Sequence, residues 1–168
     1  MTEQMAGRRG VVTRLDDGRQ RLEFRRSWPD PVEDVWSALT EPDRMARWIG
    51  TYEGERAVGA TGTFTMTHEE HPVGEPMRIV ACEPPHRLTV EWVQEDTDAW
   101  RVDLELSTEG GRTVLTFVQV FGADADVTDF AMGWHWYLEK FGAELAGAPA
   151  PGDWDSFLAE VGPGYGRA

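Results

Sequence analysis

Two tryptophan-bearing segments bracket a run of alternating residues, and that bracket limits what the chain can fold into. The front segment reads Pro31-Val32-Glu33-Asp34-Val35-Trp36-Ser37-Ala38-Leu39-Thr40-Glu41-Pro42 and is followed by Trp48. The back segment, Gly133-Trp134-His135-Trp136-Tyr137-Leu138, lies inside a long helical pattern. Between them the apolar residues recur with a period of two, the signature of strands with one buried face. A short helical front, a sheet and a long closing helix predict a sheet wrapped around a helix, a shape that tends to enclose a cavity.

The pattern resolves into elements. Residues 11–16 and 19–28 read as a hairpin turning at Asp17-Gly18, with Leu22, Phe24 and Arg26 on one face and Glu23 and Arg25 on the other. Pro29 and Pro31 end the second arm, and Asp30 is placed to cap a helix buried through Val32, Val35, Trp36 and Leu39. Thr40-Glu41-Pro42-Asp43 opens a second short helix carrying Met45, Trp48 and Ile49. A strand then places Phe64, Met66 and His68 on one face, with a turn over 69–74. Met77, Ile79 and Ala81 form the next inward face. Leu88, Val90 and Trp92 follow, then Trp100, Val102, Leu104 and Leu106, then Leu115, Phe117, Gln119 and Phe121. Residues 125–146 predict the long helix, with Val127, Phe130, Ala131, Trp134, Leu138, Phe141 and Leu145 on one stripe and Gly147 at its end. Trp154, Phe157 and Leu158 give the tail an apolar anchor. The architecture read from this order is α+β, one domain over 1–168 with a core of about 11–146 and a tail of 147–168.

Charge and cysteine content narrow the function classes. The 168 residues carry a net charge of −14. Residues 1–28 run against that trend: seven arginines face four acids there, a balance of +3 that leaves −17 on the rest. So acidic a body repels phosphate backbones and anionic headgroups, which argues against nucleic-acid and membrane partners. The basic segment, with Arg21, Arg25 and Arg26, is either a solvated strand face or a contact for an acidic protein partner. Cys82 is the only cysteine, so no internal disulfide forms. The first nine residues have no apolar h-region and no stretch is long enough to cross a bilayer, so a cytoplasmic location is expected.

The order of these motifs resembles the START-like, Bet v 1-like superfamily, also called SRPBCC, and within it the bacterial homologues of the activator of heat-shock protein 90 ATPase. The resemblance covers roughly residues 20–146. It rests on Val35-Trp36 with Leu39-Thr40-Glu41-Pro42 and Trp48, and on Gly59 to Phe64. It continues through Glu83-Pro84-Pro85-His86-Arg87-Leu88 leading to Glu91-Trp92, Gly110-Gly111-Arg112-Thr113 leading to Leu115, and Gly133-Trp134. It implies a helix-grip fold, with the sheet curled around the C-terminal helix and a cavity between them suited to an apolar small molecule. The eukaryotic activator's further N-terminal chaperone-binding domain has no counterpart in this sequence.

Inward strand positions and the inner helix face converge on such a cavity. The candidates are Met66, His68, Met77, Trp92, Trp100, Gln119, Phe121, Phe130, Trp134 and Tyr137. Each aromatic serves equally as core packing. Gln119 breaks an apolar face, so it either orients the polar end of a ligand or bonds a neighbour in a filled core. His68-Glu69-Glu70-His71 lacks the i, i+4 spacing of a helical zinc motif and sits at a turn, so no metal site is assigned. His135 is expected at the edge of the helix stripe, partly exposed. No nucleophile triad, phosphate loop or cofactor motif stands out. The reading is therefore non-catalytic binding of a small hydrophobic ligand, with two alternatives: a chaperone-cofactor-like interaction module using the basic N-terminal strand, or a cyclase- or hydrolase-like enzyme using Gln119, His68, His135 or Tyr137.

Overall fold

The computed structural model of the protein describes residues 9–93, 100–149 and 152–165. The leading segment 1–8, with Arg8, lies outside the described residues. The chain forms strands β1 (Val11–Arg14) and β2 (Gln20–Trp28), helices α1 (Val32–Thr40) and α2 (Pro42–Trp48), then β3 (Thr51–Glu53), β4 (Thr61–Thr65), β5 (Gly74–Glu83), β6 (Arg87–Trp92), β7 (Trp100–Glu109) and β8 (Arg112–Phe121). Helix α3 (Val127–Ala146), helix α4 (Trp154–Val161) and a 3₁₀ turn (Gly162–Tyr165) close it. All strands join one antiparallel sheet in the order β1-β2-β8-β7-β6-β5-β4-β3. The α+β helix-grip architecture is thus present: a curved sheet holds the long helix, and the two short helices cover the rest of its inner face.

Local chemistry sets most boundaries. Gly18 takes φ +92° in the first hairpin turn, a conformation open to glycine. Helix α3 starts where the Asp126 carboxylate accepts the Thr128 N–H at 3.1 Å and stops at Gly147, φ +65°. The β8–α3 connection is held by Gln20, whose Nε2 donates to the carbonyls of Gly122 and Ala125 at 3.0 and 2.8 Å. Alternation delivers the core: Leu22 and Phe24 from β2, Leu115, Phe117 and Phe121 from β8, and Ala131, Leu138 and Phe141 from α3 are all buried.

Three expectations need correction. Asp30 does not cap α1. Pro31 itself occupies the N-cap in extended conformation, with its carbonyl accepting from the Asp34 and Val35 N–H groups, so the helix starts one residue later than expected and no side chain caps it. The Asp30 carbonyl instead accepts the Thr113 hydroxyl at 2.7 Å. Met66 and His68 do not continue β4. Pairing of Thr65 with Gly74 closes the β4–β5 ladder, so 66–73 form a connecting loop. His135 is fully buried rather than partly exposed, because the tail folds back over that edge of α3. Phe157 and Tyr165 pack edge-on to its ring at 5.3 and 5.9 Å, and Phe24 does so from the sheet side at 6.0 Å. The helical spacing of Trp154, Phe157, Leu158 and Val161 was the sequence signal for that cover.

Candidate functional site

A cavity of about 180 Å³ lies between the inner face of the sheet and three helices. Helix α1 supplies Trp36, Leu39 and Thr40; α2 and its exit supply Met45, Trp48 and Ile49. Trp134 and Leu138 reach in from α3. The sheet wall is a set of in-register rows. Leu88 of β6, Leu104 of β7 and Phe117 of β8 pair side by side, as do Met77 of β5 and Trp92 of β6, and all five line the cavity. Leu104 is only half-buried although it points inward, because its inner side meets this space and not another side chain.

The wall is apolar apart from a few groups: Thr40, Tyr52 and Arg56, which lie together, and Cys82 on β5. Arg56, in the β3–β4 loop, is the one solvent-exposed lining residue among the described residues, so the cavity opens beside it. Its Nη1 donates to the Thr40 carbonyl at the end of α1, and its guanidinium lies 5.9 Å from the Tyr52 ring centroid. The Thr40 hydroxyl donates to the Trp36 carbonyl at 2.8 Å, and the Tyr52 hydroxyl to the Glu55 carbonyl at 2.8 Å.

Of the ten residues predicted from the sequence, Met77, Trp92 and Trp134 line this cavity. The other seven lie elsewhere. Gln119 is buried, and its Oε1 accepts the Trp134 indole N–H at 2.7 Å, so its amide oxygen holds a wall residue in place. Trp100 and Phe121 both pack on Phe130 at the start of α3, edge-to-face and tilted, with centroids 4.9 and 5.0 Å away. Met66 packs against the core at the start of the 66–73 loop. His68 and Tyr137 belong to a latch that ties this loop to the helices. Lys140 Nζ donates to His68 Nδ1 at 2.6 Å, and His68 Nε2 lies 2.8 Å from the Ala46 carbonyl. A carbonyl only accepts, so Nε2 carries the proton and Nδ1 is free to accept from Lys140. The Tyr137 hydroxyl donates to Glu69 at 2.9 Å.

What the sequence reading passed over is the part of the wall built by α1, α2 and the β3–β4 loop. Trp36 and Trp48 were visible as landmarks, but period alone cannot say whether a buried ring faces a neighbour or a gap. The basic strand also changes character. Arg21 pairs with Glu23 at 2.6 Å and Arg25 with Glu109 at 2.5 Å on the surface, whereas Arg26 is buried 3.9 Å from Glu139.

The latch has a pH signature. Burial, then the bond to Glu69, raises the Tyr137 pKa, whereas burial lowers that of Lys140. A raised tyrosine pKa means that the folded state keeps a proton which the unfolded chain releases near pH 10. Its contribution to stability is full below pH 10 and declines above it. Lys140 acts oppositely: its lowered pKa makes stability rise towards the ordinary lysine range and then level off. We expect urea midpoints of the native protein to fall between pH 9 and pH 11, and to fall less in Tyr137→Phe. Burial raises Tyr165 in the same direction, so Tyr165→Phe serves as the comparison. Equal alkaline losses in the native protein and Tyr137→Phe would contradict this account of the latch.

Among the described residues, no group of three or more His, Cys, Asp or Glu side chains is arranged to hold a metal ion, and no helix is long and apolar enough to cross a membrane.

A curved antiparallel sheet gripping a long helix, with an apolar cavity under two short helices, defines a START-like, SRPBCC-type protein. The profile of the family described as activator of Hsp90 ATPase homolog 1-like protein matches residues 30–146, and the chain belongs to that family. Among solved structures, the chain is similar to the crystal structure of CalU16 from Micromonospora echinospora, with 26% identity, 94% of each chain covered and a TM-score of 0.72. It is also similar to the solution structure of the protein encoded by gene BPP1335 from Bordetella parapertussis. There the identity is 29%, the TM-score 0.73, and the cover 94% of this chain and 89% of that one. The comparison with curated proteins finds no match.

Proposed function

We propose that the protein binds a small, mostly apolar molecule in the cavity and does not transform it. The observation that carries this reading is a gap of about 180 Å³ with a nearly continuous apolar wall that includes four tryptophans. Protein interiors rarely leave space for more than a water molecule. An apolar cavity of about 150 Å³ stays dry and accepts benzene. The polar groups at the mouth mostly bond to nearby backbone carbonyls, and none of Gln119, His68, His135 or Tyr137 lines the cavity. This favours a binder over a hydrolase or cyclase. A chaperone-cofactor role, which the family's description brings to mind, has less support on the basic strand, where Arg21 and Arg25 already pair with acids and Arg26 is buried.

The test is calorimetric titration with 4-phenylbutan-1-ol, a neutral probe with one ring and a short chain. Saturable one-to-one binding is expected. Leu104→Trp, which grows a ring into the gap from the middle of the sheet wall, should weaken it by at least about tenfold, or about 1.4 kcal/mol, with the far-UV circular dichroism unchanged. No binding to the native protein, or equal binding to Leu104→Trp, overturns the reading.

A further inference from the structure

We infer that the cavity selects a carboxylate: its occupant is a small monocarboxylic acid whose apolar body fills the gap and whose anionic head pairs with Arg56 at the mouth. This rests on the proposed function and adds the chemical class of the ligand. Among the described residues, Arg56 is the only charged residue lining the cavity and its only exposed one, so a ligand entering tail first leaves its head beside the guanidinium. Across the described residues nine arginines have a carboxylate within ion-pair distance, from Arg19 to Arg101, and Arg56 is not among them. Its neighbours Glu53 and Glu55 are exposed and do not line the cavity.

The guanidinium is also held in place. Nη1 donates to the Thr40 carbonyl and the guanidinium carbon lies 5.9 Å from the Tyr52 ring centroid, two contacts that keep it at the mouth. A guanidinium has five N–H donors in a rigid fork, and the bond to Thr40 leaves donors for a carboxylate. One fork matches one carboxylate. A phosphate dianion would call for further cations, and the cavity offers none. The surrounding charge of −14 disfavours anions at long range. Screening confines that field to about 8 Å at physiological salt, so contact with Arg56 dominates once the ligand is seated. The size agrees: a cavity of about 180 Å³ suits one ring with a short chain, not a long fatty acyl tail.

The experiment compares 4-phenylbutanoate with 4-phenylbutan-1-ol at pH 7 by calorimetry on the full chain, native and with Arg56→Gln. The acid should bind the native protein at least about tenfold more tightly than the alcohol, as a charge-assisted hydrogen bond predicts. Arg56→Gln should bring the ratio of acid to alcohol affinity to about one. Equal binding of acid and alcohol to the native protein overturns the carboxylate assignment and leaves the cavity reading standing, as does a preference that survives Arg56→Gln. Failure of both probes to bind the native protein overturns both readings. Where Arg56→Gln fails to fold or binds neither probe, Arg56→Lys decides, because it keeps the charge without the fork. An acid preference retained there supports the assignment, and a ratio of one overturns it.

Discussion

Phe141→Ala is expected to destabilise the protein by about 3–5 kcal/mol, the range for truncating a buried phenylalanine. Phe141 is fully buried near the C-terminal end of α3. Its ring stacks on Trp28 from the end of β2, with centroids 5.2 Å apart and planes 15° apart, and meets Trp48 from α2 at 4.9 Å. Three elements distant in sequence therefore share this one ring. Two large aromatic neighbours cannot collapse readily into the space it leaves, which places the cost towards the upper end. At roughly 2–4 °C per kcal/mol for a chain of this size, the melting temperature should drop by about 10 °C. Thermal unfolding followed by circular dichroism measures it. Phe141→Leu, which keeps most of the volume, should lose far less, and a loss below about 1 kcal/mol in Phe141→Ala would refute the packing argument. The same change should weaken binding of the neutral probe. Trp48 lines the cavity, and its indole N–H reaches the Ala38 carbonyl at 2.9 Å, so loosening its packing loosens the α1–α2 wall.

Trp134→Phe is expected to cost about 2 kcal/mol, mainly through the partner left behind. The Trp134 indole N–H is the donor to the Gln119 amide oxygen at 2.7 Å, and Gln119 is buried on β8. A buried acceptor stripped of its donor carries a desolvation penalty of about 1–3 kcal/mol, whereas removing both partners together is often close to neutral. The double variant Trp134→Phe with Gln119→Leu should therefore recover at least half of the loss, and urea unfolding of the four proteins closes the cycle. Additive losses would mean that the bond contributes little. Ligand binding separates a second issue. Trp134 also packs on Phe117 at 4.8 Å and Trp92 at 6.1 Å, both cavity residues, so affinity should follow the shape of the indole. A Gln119→Leu variant that binds the neutral probe as well as the native protein would agree with a structural role for that amide.

Gln119 shows how far residue patterns reach. An amide on an apolar strand face signals that something polar meets it, and the sequence left open whether that was a ligand or a neighbour. The partner comes from α3, 15 positions along the chain, brought over by the curl of the sheet. Arg26 is similar. Its place with Leu22 and Phe24 on one face followed from alternation, and the burial of all three agrees. That it lies near Glu139 depends on where α3 crosses β2.

Local rules were enough for the order of elements. Alternation marks β2, β7 and β8; the turn residues Asp17-Gly18 and Gly110-Gly111 join hairpins; Asp126 and Gly147 bound the long helix. These signals act within a few residues, where propensity, pattern and capping agree, and so the helix-grip architecture was legible from the chain alone. The cavity was legible only in kind. Whether an inward side chain meets another side chain or a gap depends on sheet curvature and on how α1 and α2 settle over it, relations between elements far apart in sequence. Period put side chains on inward faces, but only the tertiary structure decided that Met77, Trp92 and Trp134 among them, together with Leu104, Trp36 and Trp48, meet the gap. Arg56, an unremarkable charge in a glycine-flanked loop, became the cation at the mouth only when the β3–β4 loop met the end of α1.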